Sequence, residues 1–271
     1  MSKGFKLLRL EYLFTVLIPL FIAIYLNGYD IIDNIEIIGG FAFWAITGNT
    51  LNDFKDMDNP NDQETQERIE GYSKKEIAVL SLGSFILGSA LFYYPILDNV
   101  FLLFYISATA LMVVLYCLFL KPILGINWIL LGVSHIWFPY FIIKLNVSNS
   151  NMLFPTLELF EWFFLSSASL VALSGNIIHE VIDNDAITKL NNRSQQIIIW
   201  VVSLSAISIS IFSIVLFPLE LFLFTPALII PLGVIYMARS KERLPQNATS
   251  IKDIGIITGN LLLAFVVIIL F

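Results

Sequence analysis

Two short stretches of this sequence hold most of the side chains able to do chemistry, and they repeat one another. The first reads Thr47-Gly48-Asn49-Thr50-Leu51-Asn52-Asp53-Phe54-Lys55-Asp56-Met57-Asp58. The second reads Ser174-Gly175-Asn176-Ile177-Ile178-His179-Glu180-Val181-Ile182-Asp183-Asn184-Asp185. Both fit hydroxyl-Gly-Asn-x-x-polar-acid-x-x-Asp-x-Asp, at a constant offset of 127 residues. Residues three, four or seven apart share a helix face, so Asn49, Asn52, Asp53 and Asp56 form one polar stripe and Asn176, His179, Glu180 and Asp183 its counterpart. Asp58 and Asp185 fall off that stripe and join it only if the helix has ended or unwound by then. Two facing stripes of carboxylate repel each other unless cations lie between them. Mg²⁺ takes one or two carboxylates at a time and completes its octahedron with water and phosphate. The expected metal ligands are therefore Asp53, Asp56, Asp58, Glu180, Asp183 and Asp185, and the implied ligand is a diphosphate bridged by Mg²⁺. Of these acids, Asp53, Asp56, Glu180 and Asp183 are the candidate catalytic residues.

Basic residues supply the rest of such a site. Lys55, Arg68, Lys121, Lys189 and Arg193 fall in segments on the same side as the acids and could contact phosphate oxygens. Each is equally able to serve as an orientation signal or to meet lipid headgroups. Asn49, Asn52, Asn176 and His179 are hydrogen-bonding members of the stripes, since hard Mg²⁺ prefers oxygen to imidazole. His135, alone in an apolar run, reads as a packing residue. Trp128, Trp137 and Trp162 read as interface and packing residues, and Glu158 and Glu161 as acids facing water. The single cysteine, Cys117, permits no intrachain disulfide.

The elements that carry these residues are hydrophobic. Of the 271 residues 58% are apolar and only 13% charged, where a soluble domain of this length needs about a quarter. Runs of spanning length recur at 10–27, 35–52, 76–95, 99–120, 126–145, 158–178, 196–216, 219–238 and 252–271. The first follows Lys3, Lys6 and Arg9 and is taken as a retained helix, not a cleaved signal. Ten-residue alternating strands are absent, so the expected fold is all-α: nine transmembrane helices. With the N-terminus inside, the inner segments receive fourteen Lys and Arg and the outer ones only Lys144. The repeat offset then equals four spans, and both acid runs face the cytoplasm. Two parallel four-helix repeats, roughly 10–122 and 126–240, plus a ninth helix would meet around a central cavity within one domain. The net charge of −6 gives no support to nucleic-acid binding.

At Asn52-Asp53-Phe54-Lys55-Asp56 the chain resembles the UbiA superfamily of intramembrane prenyltransferases, whose signature is an Asn-Asp-x-x-Asp-x-x-x-Asp run after the second helix and a second acid-rich run after the sixth. Tyr116-Cys117-Leu118-Phe119-Leu120-Lys121 resembles the family's Tyr-Ser-x-Pro-Leu-Lys stretch, with Phe119 in place of proline, and adds Tyr116 to the substrate-binding set. The family's last acid of the first run would fall at Pro60, between Asp58 and Asp62, and that of the second at Ile187, where Asp185 is the nearest substitute. The resemblance implies a Mg²⁺-dependent enzyme that draws diphosphate from an allylic prenyl diphosphate, with an aromatic or lipophilic acceptor attacking the resulting cation. A terpene cyclase on the same scaffold would need no acceptor. A cation transporter would instead need acids deep in the membrane and open to both faces.

Overall fold

Pattern and length in the nine apolar runs lead to helix everywhere. The computed structural model describes residues 3–58, 63–147, 152–239 and 244–271, and among the described residues there is no strand. Each of the nine expected segments is largely helical, though 76–95 is split between Lys74–Leu91 and Tyr93–Asp98 and 99–120 is helical only from Leu102. Seven of these helices are long and apolar enough to cross a membrane: Lys6–Asn27, Leu102–Leu120, Ile126–Val147, Leu159–Ile182, Asn192–Leu216, Pro218–Ala238 and Ala248–Leu270. The protein is a polytopic, all-α integral membrane protein. Of the two remaining segments, Ile35–Asp56 ends in polar turns with Asn49, Asn52, Asp53 and Asp56, and Lys74–Leu91 opens on three charges, Lys74, Lys75 and Glu76. The outward surface suits lipid: Val79, Val215, Leu261 and Ile268 are each at least 66% exposed, a liability in water and none in hydrocarbon.

The chain forms two compact units. The first comprises Met1–Lys121 and Val133–Pro155. Its central pair is Ile35–Asp56 against Lys74–Leu91, and small residues let the two backbones approach. A Cβ added at Gly88 would lie 2.8 Å from the Gly40 carbonyl oxygen and 2.4 Å from Trp44, and one at Gly40 would lie 2.6 Å from Phe92. Thr47 and Ser84 hydroxyls meet at 3.0 Å across this contact. Such close small-residue crossings are how helices bind one another where lipid removes the hydrophobic drive. The Lys74–Leu91 helix starts on the reciprocal cap that the spacing Ser73-x-x-Glu76 encodes: the Glu76 amide donates to Ser73 Oγ and the Ser73 amide to Glu76 Oε2.

The second unit comprises Pro122–Gly132 and Thr156–Ile269. Here Leu159–Ile182 packs on Asn192–Leu216, again through small residues, with Ser167 and Ser210 hydroxyls 2.5 Å apart. Its core gathers Ile177, Ile178, Val181, Ile187, Ile199, Val234 and Met237, with Trp128 packed against it. The units do not follow the expected repeat bounds, since Val133–Pro155 belongs to the first, but the two repeated stretches share local features. In each unit an acid-bearing helix pairs with its successor, Thr47 and Ser174 are buried and donate to carbonyls one turn back, and Asp53 and Glu180 are buried.

Candidate functional site

In the first unit the stripe expected on Ile35–Asp56 exists, and most of its side chains are already engaged. Asp53 is fully buried. Arg68, from the short helix Gln63–Ile69, grips it in a fork, Nε to Oδ2 at 2.9 Å and NH2 to Oδ1 at 2.8 Å. Thr65 Oγ1 accepts from the same guanidinium at 2.9 Å and helps aim it. A second guanidinium, Arg9, lies 3.7 Å from Asp53 Oδ1. One turn on, Asp56 Oδ2 accepts from Asn52 Nδ2 at 2.8 Å and from Lys121 Nζ at 3.0 Å. Lys121 is delivered by a π-helical turn, Tyr116–Leu120, closed by the Lys121 amide on the Tyr116 carbonyl at 3.0 Å. The extra residue of a π-turn re-aims the side chains after it, and such turns gather at functional sites. Acids and cations thus alternate through this cluster, as they must when carboxylates are withdrawn from water.

Arg9 was not legible as a site residue; in the sequence it is one basic flank among several. Its backbone is left-handed, φ 49° and ψ 45°, which a residue bearing a Cβ adopts only under constraint. The constraint is visible: its carbonyl accepts from Asn49 Nδ2 at 3.4 Å and its guanidinium sits 4.5 Å from the Tyr12 ring centre. Two buried polar atoms of this cluster, Arg9 Nε and Asn52 Oδ1, have no hydrogen-bond partner among the described residues. Buried groups of this kind are rare and call for a ligand or an ion.

The second unit is built differently. Glu180 is buried, and its partners are neutral. Oε1 accepts from Asn127 Nδ2 at 2.8 Å, Trp128 Nε1 at 2.6 Å and Asn176 Nδ2 at 2.9 Å, while Oε2 accepts from the Ile187 amide at 2.9 Å. Trp128 is thus more than the packing residue expected; its indole N–H needs a buried acceptor and finds one. Asn127 went unnoticed, although a lone amide in an apolar run is itself a signal. Just beyond, the helix ends at Ile182 with Asp183 as its cap, Asn184 turns left-handed at φ 56°, and the Asp185 amide returns to the Glu180 carbonyl at 2.9 Å. This six-to-one closure is a standard helix stop in which Asn serves where Gly would. Asp185 then opens the 3₁₀ turn Ala186–Lys189. Asp183, Asp185 and His179 are half-buried.

Several expected site residues stand elsewhere. The first helix does end at Asp56, yet Asp58 is an exposed acid whose Oδ2 meets Lys74 Nζ at 2.6 Å. That hydrogen bond, then the Lys74 charge, with Lys55 adding, holds its carboxyl below the usual range. Lys55, Lys189 and Arg193 are exposed, and among the described residues the structure records no contact between them and the stripes. Asp62 and Pro60 lie outside the described residues. Glu161, expected to face water, is fully buried, because its Oε2 accepts the Glu158 amide at 2.6 Å to cap the helix start. His135 Nδ1 hydrogen-bonds the neighbouring Ser134 hydroxyl at 2.8 Å inside a π-helical turn, Val133–Trp137.

The donor set suits a hard cation only in one manner. Among the described residues no three His, Cys, Asp or Glu side chains group tightly enough to cage an ion. An all-protein site of the Ca²⁺ type is therefore absent there. Mg²⁺, which keeps water and phosphate oxygens and borrows one or two carboxylates, fits what remains: Asp56 with the orphaned Asn52 oxygen beside it, and Asp183 and Asp185.

No family model matches the chain, and no curated protein matches it. Solved structures do. A digeranylgeranylglyceryl phosphate synthase in membranes shares 18% identity over 98% of this chain and 98% of its own, with a TM-score of 0.58. A UbiA homolog from Archaeoglobus fulgidus bound to GPP and Mg²⁺ shares 14% identity over 97% of this chain and 100% of its own, with a TM-score of 0.63. A UbiA homolog from the same organism bound to DMAPP and Mg²⁺ shares 13% identity over 97% and 99%, with a TM-score of 0.63. The likeness runs from end to end of each chain, and by it the protein shares the fold of these structures.

Proposed function

We propose that the protein belongs to the UbiA superfamily in activity as well as fold. It is a Mg²⁺-dependent intramembrane prenyltransferase that moves an isoprenyl group from an allylic prenyl diphosphate to a lipophilic or aromatic acceptor and releases diphosphate. One observation carries the reading. The buried Asp53 and half-buried Asp56 interleave with Arg9, Arg68 and Lys121 at one end of the Ile35–Asp56 helix, and a donor and an acceptor are left over. A transporter site has no use for three cations around its acids; a diphosphate does. The fold neighbours bound to GPP or DMAPP with Mg²⁺ add weight.

In this reading Mg²⁺ would be held by Asp56, joined by Asp53 once Arg68 turns to phosphate, in the first unit and by Asp183 with Asp185 in the second. Bound Mg²⁺ supplies neutralisation of the charge that grows on the departing diphosphate. The chain's own residues do the rest. Arg68 and Lys121 shift from their carboxylates toward phosphate oxygens, a substitution of one charge-assisted hydrogen bond for another. Arg9 offers its unpartnered Nε–H to the same anion, and Asn52 its amide oxygen to the hydrated cation. Tyr116 opens the π-turn that delivers Lys121. As the allylic C–O bond breaks, the electron pair leaves with the diphosphate, and aromatic faces steady the allyl cation until the acceptor attacks it.

The test is purified protein in lipid with Mg²⁺ and allylic diphosphates of increasing length, with and without aromatic acceptors. Acceptor-dependent diphosphate release that stops on chelation is expected. Release without acceptor incorporation would move the assignment to cyclisation, and no release at any length would refute it.

A further inference from the structure

The two acid runs align residue for residue, so Asp53 and Glu180 look like the same ligand written twice. Their surroundings disagree. Asp53 faces two guanidinium groups, whose charges a phosphate can draw away. Glu180 faces an amide, an indole, a second amide and a backbone N–H. Such neutral donors have no stronger partner to leave for. A carboxylate offers about four lone-pair positions. Glu180 has four donors, three on Oε1 alone, and only 4% of the residue is exposed.

Those donors come from separate places in the chain. Asn127 and Trp128 belong to Ile126–Gly132, Asn176 lies one turn earlier on Glu180's own helix, and Ile187 lies in the Ala186–Lys189 turn. The Ile187 amide holds the far end of the segment that carries Asp183 and Asp185; the Glu180 carbonyl, through the Asp185 amide, holds its near end. Asn127 is itself fixed, its Oδ1 accepting the Trp128 amide at 2.8 Å. One residue therefore clips both ends of the turn on which the second unit's remaining acids stand.

We infer that Glu180 is a positioning residue and no metal ligand: with Asn127 and Trp128 it fixes the Asp183–Lys189 turn, and Asp183 and Asp185 alone present carboxylate to a metal-bound diphosphate in this unit. The inference rests on the Mg²⁺–diphosphate reading for its ligand, and on hydrogen bonds alone for its geometry. Gln at 180 keeps an oxygen for Asn127, Trp128 and Asn176 but turns an NH₂ toward the Ile187 amide. Phe at 128 removes one donor and leaves Glu180 in place.

Two readouts on the full-length protein in nanodiscs separate the roles. The first is amide hydrogen exchange over residues 183–190, without metal or diphosphate. The second is Mn²⁺ affinity by electron paramagnetic resonance, in the presence of geranyl thiolodiphosphate. Glu180→Gln and Trp128→Phe should both speed exchange in this segment, and both should weaken Mn²⁺ by about tenfold, as changes behind a metal ligand do. Asp183→Asn should abolish Mn²⁺ binding in this unit with exchange unchanged. The inference is overturned if Glu180→Gln abolishes Mn²⁺ binding with exchange unchanged while Trp128→Phe binds as the wild type does. A wild-type protein that takes no Mn²⁺ would refute the magnesium reading instead, and the exchange result would still decide whether Glu180 holds the turn.

Discussion

At the scale of single residues, the site is a set of buried charges that cannot be altered one at a time without cost. Arg68→Ala leaves Asp53 buried with only Arg9 nearby, and breaking such a pair typically costs about 3–5 kcal/mol. A lowered melting temperature and near-complete loss of turnover are expected. Adding Asp53→Asn should restore much of the stability and none of the turnover, which separates the structural debt from the chemical one. Asp58→Asn should behave oppositely. Asp58 is an exposed acid paired with Lys74, so turnover and Mg²⁺ requirement should change by less than about twofold. Its spacing suggested a ligand because it repeats at Asp185, but the two helix ends differ: Asn184 closes the second helix with a left-handed turn, whereas Met57 leaves the first in ordinary helical geometry. Side-chain type and spacing carried the stripe residues; they could not say which acid meets a guanidinium and which an indole. That distinction arises from Arg9, Asn127 and Trp128, far off in sequence from the acids they meet.

At the scale of elements, hydropathy made the helices legible, and the one place it falters is informative. Ile35–Asp56 and Lys74–Leu91 carry Thr47, Asn49, Ser81 and Ser84 and fall short of the apolar level of a crossing helix. Ile35–Asp56 falls short through its polar last turns and Lys74–Leu91 through its charged start, and where the two cross, hydroxyls pair and glycines admit the partner's backbone and rings. Gly88→Val should place methyl groups where Trp44 and the Gly40 carbonyl stand and cost about 1–3 kcal/mol as overpacking does. Gly83→Ala, with nothing near its Cβ position, should leave the melting temperature unchanged. The π-turns at Tyr116–Leu120 and Val133–Trp137 had no sequence signature, since they depend on what the neighbouring helix leaves room for.

At the scale of the whole molecule, the distribution of Lys and Arg leads us to propose that the acid runs lie on the cytoplasmic side. With Cys117 replaced by serine, a cysteine at exposed Thr156 should react with an impermeant maleimide on intact cells, and one at exposed Lys189 only after lysis. The reverse pattern would put the acid runs outside. The duplication was legible because two acid runs at a fixed offset stand out in a chain whose apolar residues are otherwise interchangeable. We propose that each run holds Mg²⁺ against diphosphate, and calorimetry of geranyl thiolodiphosphate binding measures that directly. Tight binding with Mg²⁺ should fall by at least about a hundredfold on chelation, and likewise in Asp56→Asn and in Asp183→Asn, each of which removes a proposed metal ligand. Equal affinity with and without Mg²⁺, or a loss confined to one of the two variants, would contradict the proposal that each acid run holds Mg²⁺ against diphosphate.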